Sequence, residues 1–102
     1  MAKYVYVYKG GKMAETDEER QAAMAAWGAF LGGLGEAVVD AGNPFGASAE
    51  VTGDGAAGAS SNLTGYSVVT AGSLGEATER AQDCPVLASG GSVEVYETLE
   101  VM

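Results

Sequence analysis

The side chains that do chemistry at neutral pH are few in this 102-residue chain, and the shortest list is also the most restrictive. There is no histidine, and Cys84 is the single cysteine. Those two counts exclude Ser-His-Asp and Cys-His catalysis within one chain, and any His-ligated metal. They also exclude an intrachain disulfide and a thiolate zinc site. What remains is Cys84, its neighbour Asp83, Glu97, and five tyrosines at positions 4, 6, 8, 66 and 96. A nucleophilic Cys84 would need a lowered pKa. Its predicted place at the C-terminal end of a helix does the opposite, because the dipole there disfavours a thiolate, and no base is adjacent in sequence. Cys84 is therefore read as a buried structural thiol, and Asp83 as a solvated residue of the last helical turn.

Glu97 continues the alternation of Val93 and Val95, which places it on an apolar face. A desolvated carboxylate there would serve as a proton shuttle, whereas a strand end would simply turn it outward. Gly53-Asp54-Gly55-Ala56-Ala57-Gly58 matches the dinucleotide pattern G-x-G-x-x-G literally. That pattern works only where a helix opens on the last glycine, and here the next periodic element is a strand. No nucleotide cofactor is expected. The acids at 15 and 17–19 form a capping face rather than a metal site, since no further carboxylate recurs at a ligand spacing.

The balance of 14 Asp+Glu against 5 Lys+Arg, a net charge of -9, argues against a nucleic-acid partner. No apolar run approaches 18 residues, and nothing at the start reads as a signal peptide, so no membrane role is expected. A cytoplasmic, reducing compartment fits the lone thiol. In that setting the Asn62-Leu63-Thr64 sequon has no meaning.

These groups need elements to hold them. Residues 3–9 alternate Tyr and Val between two lysines and predict a strand. Thr16-Asp17-Glu18-Glu19 is a capping box, with its acids on the positive end of the helix dipole. Met24, Trp27, Leu31, Leu34 and Val38 then form one apolar stripe, predicting a helix over 17–41 that either bends or breaks near 32–33 or uses its glycines to let the sheet approach closely. Gly42-Asn43-Pro44 stops it. A short strand is expected over 47–52, a glycine-rich loop over 53–65, and a strand over 66–71. Ser73-Leu74-Gly75-Glu76 caps a second helix, whose stripe is Leu74, Ala77, Ala81 and Cys84 and which Pro85 closes. A last strand covers 92–96. The order β-α-β-β-α-β predicts an α+β, ferredoxin-like subunit, a four-stranded antiparallel sheet with two helices on one face.

Two helices cover one face only. With Val5 and Val7 turned to the helices, the Tyr4, Tyr6 and Tyr8 face is left open, and an open aromatic face marks an interface or a ligand site. A homodimer through that face is expected, enclosing a cavity walled by phenol groups. Tyr66, Trp27, Phe45, Asp83, Cys84 and Glu97 complete the candidate pocket or dimer-face residues, with Trp27 chiefly a packing residue at the pocket edge.

Taken together, the Tyr-rich first strand, Met24-Ala-Ala-Trp27, Gly42-Asn-Pro-Phe45-Gly46, Gly65-Tyr66-Ser-Val-Val, Ser73-Leu74-x-Glu76-Ala77, Cys84-Pro85 and Gly91-Ser92-Val93-Glu94-Val95 resemble the YCII-related family. The resemblance runs over nearly the whole chain. It implies a ferredoxin-like subunit that dimerises into an α/β barrel, in a largely bacterial family some of whose members act on small organic acids with a His-Asp dyad. Here the dyad histidine is absent, and Cys84 stands where the family's aspartate precedes proline, with Asp83 one position earlier. The reading is a homodimeric small-molecule-binding or regulatory module with a non-catalytic pocket. The alternative is a cofactor-free enzyme using tyrosine and carboxylate groups as acid and base.

Overall fold

The computed structural model describes residues 2–11, 14–55, 57–58 and 63–100. In chain order the elements are β1 (Ala2–Lys9), α1 (Asp17–Leu34), β2 (Val38–Asp40), β3 (Glu50–Val51), β4 (Ala57–Gly58), β5 (Leu63–Ala71), α2 (Leu74–Ala81), α3 (Pro85–Ala88) and β6 (Ser92–Glu97). Four strands form one antiparallel sheet in the order β2-β5-β1-β6, and β3 and β4 pair with each other apart from it. This is the expected α+β, ferredoxin-like arrangement. Residues 59–62, with the Asn62 sequon and part of the 53–65 loop, lie outside the described residues. Gly53 and Gly55 belong to the turn between β3 and β4, and Gly58 lies in β4 rather than at the head of a helix.

Both capping boxes form. The Glu19 amide donates to Thr16 Oγ1 at 3.0 Å, while the Glu19 carboxylate accepts from the Glu15 amide at 3.1 Å. In α2 the Glu76 amide donates to Ser73 Oγ at 3.1 Å. The end of α1 departs from expectation. The helix stops at Leu34 because Gly35 turns to φ 57°, its amide returning to the Leu31 carbonyl. One 3-10 turn later, Val38 to Asp40 join the sheet as an edge strand against β5. Val38 is therefore a strand residue, and the second strand of the sheet is 38–40 rather than 47–52, where only the two residues of β3 pair. Gly42 (φ 78°) turns the chain after β2. A Cβ there would lie 1.6 Å from the Tyr66 carbonyl oxygen, so no other residue fits.

The faces of the sheet are the reverse of the sequence expectation. Residues directly opposite in a ladder share a face. Tyr4, Tyr6 and Tyr8 stand opposite Val69, Ser67 and Gly65 on β5, and opposite Glu97, Val95 and Val93 on β6. This is the helix side: Tyr4, Tyr6 and Tyr8 are buried with Val69, Ala77, Ala81, Phe30 and Cys84. Val5, Val7, Val68, Tyr66 and Tyr96 lie on the open side. The cause is complementarity of size and polarity. A phenol buries more surface than a valine, provided its hydroxyl finds a partner. Ala77 and Ala81 on α2 and Gly65 on β5 leave room for the rings. The Tyr6 hydroxyl donates to the Ala77 carbonyl at 2.5 Å, and the Tyr8 hydroxyl to Ser67 Oγ at 2.8 Å. Ser67, also buried, passes its own proton to the Ala41 carbonyl at 2.7 Å.

The helix stripes are also redistributed. Met24 is 75% exposed, Trp27, Leu31 and Leu34 are half-buried, and Phe30, outside the expected stripe, is the buried residue of α1. Residues 17–26 are exposed throughout, so the first half of α1 overhangs the sheet. In α2, Ala77 and Ala81 point inward while Leu74 is exposed; Cys84, buried beside them, is not at the end of that helix as expected but lies beyond it as the N-cap of α3.

Candidate functional site

Under the overhang of α1 runs a groove of about 770 Å³. Its α1 wall is built from small residues, Ala22, Ala23, Ala26 and Ala29, beside Trp27 and Phe30. Its other wall is the α2–α3 corner: Gln82, Asp83, Cys84, Pro85, Leu87, Ala88 and Ser89. The corner exists because Pro85 cannot continue α2. Instead it occupies the first turn of α3, where its fixed φ is favoured and its missing N–H costs nothing. A smaller hollow of about 280 Å³ lies alongside, lined by Ala29, Phe30, Gly33, Leu34, Arg80 and Asp83. Ala29, Phe30 and Asp83 are common to both.

The aromatic rings of the groove pack on one another and on Tyr8 behind them. Trp27 meets Tyr8 edge-on at 4.8 Å between ring centres, and Phe30 at 6.0 Å. Cys84 is 3% exposed, and burial pushes its thiol up to about 11 from an ordinary 9.0. At neutral pH it is a protonated, weakly nucleophilic thiol. Burial likewise raises Tyr6, and raises Tyr8 to about 12 from an ordinary 10.0, with Cys84 near enough to both to add to the effect. Arg80, half-exposed, pairs with Glu76 at 2.6 Å and donates to the Thr70 carbonyl at 3.3 Å. The Asp83 side chain makes no hydrogen bond or ion pair among the described residues.

Of the candidate residues, Trp27, Asp83 and Cys84 are brought together in the groove, with Tyr8 behind Trp27. Phe45 and Tyr66 are elsewhere, so a pocket uniting Tyr6, Phe45 and Asp83 does not form: Phe45 lies against Tyr66, which faces the open side of the sheet. These two rings stack at 5.8 Å with 17° between planes, and the Tyr66 hydroxyl lies 3.4 Å from Asp40 Oδ2. Glu97 does continue the Val93 and Val95 face, but the strand ends there and leaves it exposed. Tyr4, buried to 1% exposure, donates to Glu97 Oε2 at 3.3 Å. Burial and that carboxylate both raise its pKa. Neither hollow is lined by the pair.

Sequence reasoning missed Phe30, Gln82 and Leu87. A signal existed for Phe30, which follows Trp27 by three residues on the same flank of α1. The four alanines beside it also mark a helix side too small to fill its own groove. On the open face, Lys9 and Glu94 pair at 3.0 Å, and Tyr96 donates to the same Glu94 at 2.6 Å. These two hydrogen bonds hold the Glu94 carboxyl below the usual range.

Among the described residues no helix is long and apolar enough to cross a membrane. No group of three or more His, Cys, Asp or Glu side chains among them is placed to hold a metal ion. No curated protein and no solved structure gives a significant match to the chain. Its sequence does match one family along its whole length, residues 1–102, and with the ferredoxin-like sheet and the Cys84-Pro85 corner in place, the chain belongs to the YCII-related domain family.

Proposed function

We propose that this YCII-related chain is a small-molecule-binding module, with the groove between α1 and the α2–α3 corner as its site. The observation that carries the reading is the groove itself. Its volume falls within the range of small-ligand sites, and its walls are mostly apolar with a few polar groups, Gln82, Asp83 and Ser89. The chemistry favours binding over turnover. The thiol in the wall and the phenol behind it are both held in their protonated forms. Fragments can be titrated while the indole resonance of Trp27 is followed by NMR. Movement of that resonance, abolished by Ala26→Phe filling the groove, is the expected result. An indole unmoved by every fragment in a broad library refutes the site.

The working unit of this reading is a cytoplasmic homodimer joined through the open sheet face, now lined by Val5, Val7, Val68, Tyr66 and Tyr96. Val5, Val7, Val68 and Tyr66 are only half-buried there and Tyr96 is exposed, so these cross-strand neighbours leave an aliphatic and aromatic face for a second copy to cover. Light scattering at micromolar concentration is expected to report twice the chain mass, and a 10.2 kDa species would defeat the dimer.

A further inference from the structure

The groove has a charge as well as a shape. Among the described residues Asp83 is the one carboxylate lining it, and the same residue lines the smaller hollow beside it. Arg80, the one base lining either space among the described residues, is already engaged by Glu76 and the Thr70 carbonyl. Asp83 has no such partner among the described residues. A ligand lying in the groove beside Trp27 and Phe30 therefore meets a carboxylate that no cation among the described residues pairs with, on a chain whose net charge is -9.

We propose that the groove selects organic cations, small amines carrying an aromatic or aliphatic body, over organic acids. This rests on the groove being the ligand site, and it adds the sign of the ligand's charge. The body would fill the space that Ala22, Ala26 and Ala29 leave open, and the ammonium group would sit at Asp83. Trp27, partly exposed at the groove, offers apolar aromatic surface to the body rather than a second charge. An acid of the same shape would meet repulsion from Asp83 and find the Arg80 guanidinium occupied.

Three probes of nearly equal shape separate the two layers of this idea: phenethylamine, phenethyl alcohol and hydrocinnamate, each titrated against the Trp27 indole resonance. The amine is expected to bind roughly tenfold more tightly than the acid, attraction and repulsion at an exposed carboxylate each contributing a few-fold. High salt is expected to shrink that gap. Asp83→Asn should remove most of the amine's advantage and leave the alcohol's affinity unchanged. Glu79→Gln, which removes an acid of α2 that lines neither space, should leave the gap intact. An acid that binds as tightly as the amine, or a gap that survives Asp83→Asn, overturns the charge selectivity while the groove stands. If none of the three probes moves the indole, the groove reading falls with it.

Discussion

The two sides of β1 are made from the same short run of residues and do opposite work. On the helix side Tyr4, Tyr6 and Tyr8 are buried large rings, their hydroxyls spent on Glu97, Ala77 and Ser67. On the open side Val5 and Val7 are only half-buried, among Val68, Tyr66 and Tyr96, with a Lys9–Glu94 ion pair at the margin. The lesson is that size and hydrogen-bonding partners, rather than hydrophobicity, chose which side became core. Tyrosine is the less apolar residue, yet it went inside, because alanines and a glycine opposite it made a ring-shaped space and backbone and serine oxygens met its hydroxyls.

The sharpest way to break this comparison is to delete one residue from each side. Tyr6→Ala is expected to cost about 3–5 kcal/mol, as for other buried aromatic truncations. Val5→Ala should cost under about 1.5 kcal/mol in the isolated chain. Equal losses in denaturant unfolding would mean that the helix side is not the core. Next in size is Val7→Glu, which places an unpaired charge at the centre of the proposed dimer face. It should weaken association by about 2–4 kcal/mol, measured by sedimentation, while the monomer stays folded. A dimer that survives it is not formed through this face.

Alkaline pH tests the buried hydroxyls and thiol together. Their folded pKa values lie above the unfolded ones, so the folded state keeps its protons longer. Stability should be level below about pH 9, the ordinary value of Cys84, and fall as pH rises through the windows 9 to about 11 for Cys84 and 10 to about 12 for Tyr8. A midpoint of urea unfolding that does not change between pH 8 and 11 would contradict this. Smallest is Tyr8→Phe, which keeps the ring and removes one hydrogen bond to a serine that retains its bond to Ala41. About 1 kcal/mol is expected, together with a shallower alkaline slope. A slope unchanged from that of the parent would take Tyr8 out of the account.

Much of the frame is legible in the sequence. The period-two runs at 3–9, 66–71 and 92–96 and the two capping boxes carry local signals strong enough to place β1, β5, β6 and the starts of both helices. What was not legible was non-local. Alternating Tyr and Val announces a strand but not which residue type faces in, since both are apolar. That was decided by Gly65, 57 residues from its partner Tyr8, and by Ala77 and Ala81, more than 65 residues from any of the three tyrosines. The end of α1 was hidden for a similar reason. Val38 fits a helical stripe as well as a strand, and pairing with β5 settled it. In the candidate site, Trp27, Asp83 and Cys84 were found one by one, but that they share a groove depends on a corner at Pro85 and on alanines whose role is to be small.

The position of β1 in the sheet bears on how the chain comes to be folded at all. It is the first strand to be synthesised, yet it lies between β5 and β6, the last two. Its Lys3 carbonyl still waits for the amide and hydroxyl of Thr98. During translation the tyrosine-rich strand emerges with both hydrogen-bonding edges bare, and it stays so until residues 63–71 and then 92–98 arrive. A topology whose centre is made first and closed last carries long sequence separations, which slow folding and expose a strand edge to misassembly meanwhile. The acidic surplus, which matters little to the finished fold, is then most useful in that interval, when mutual repulsion keeps unfinished chains apart.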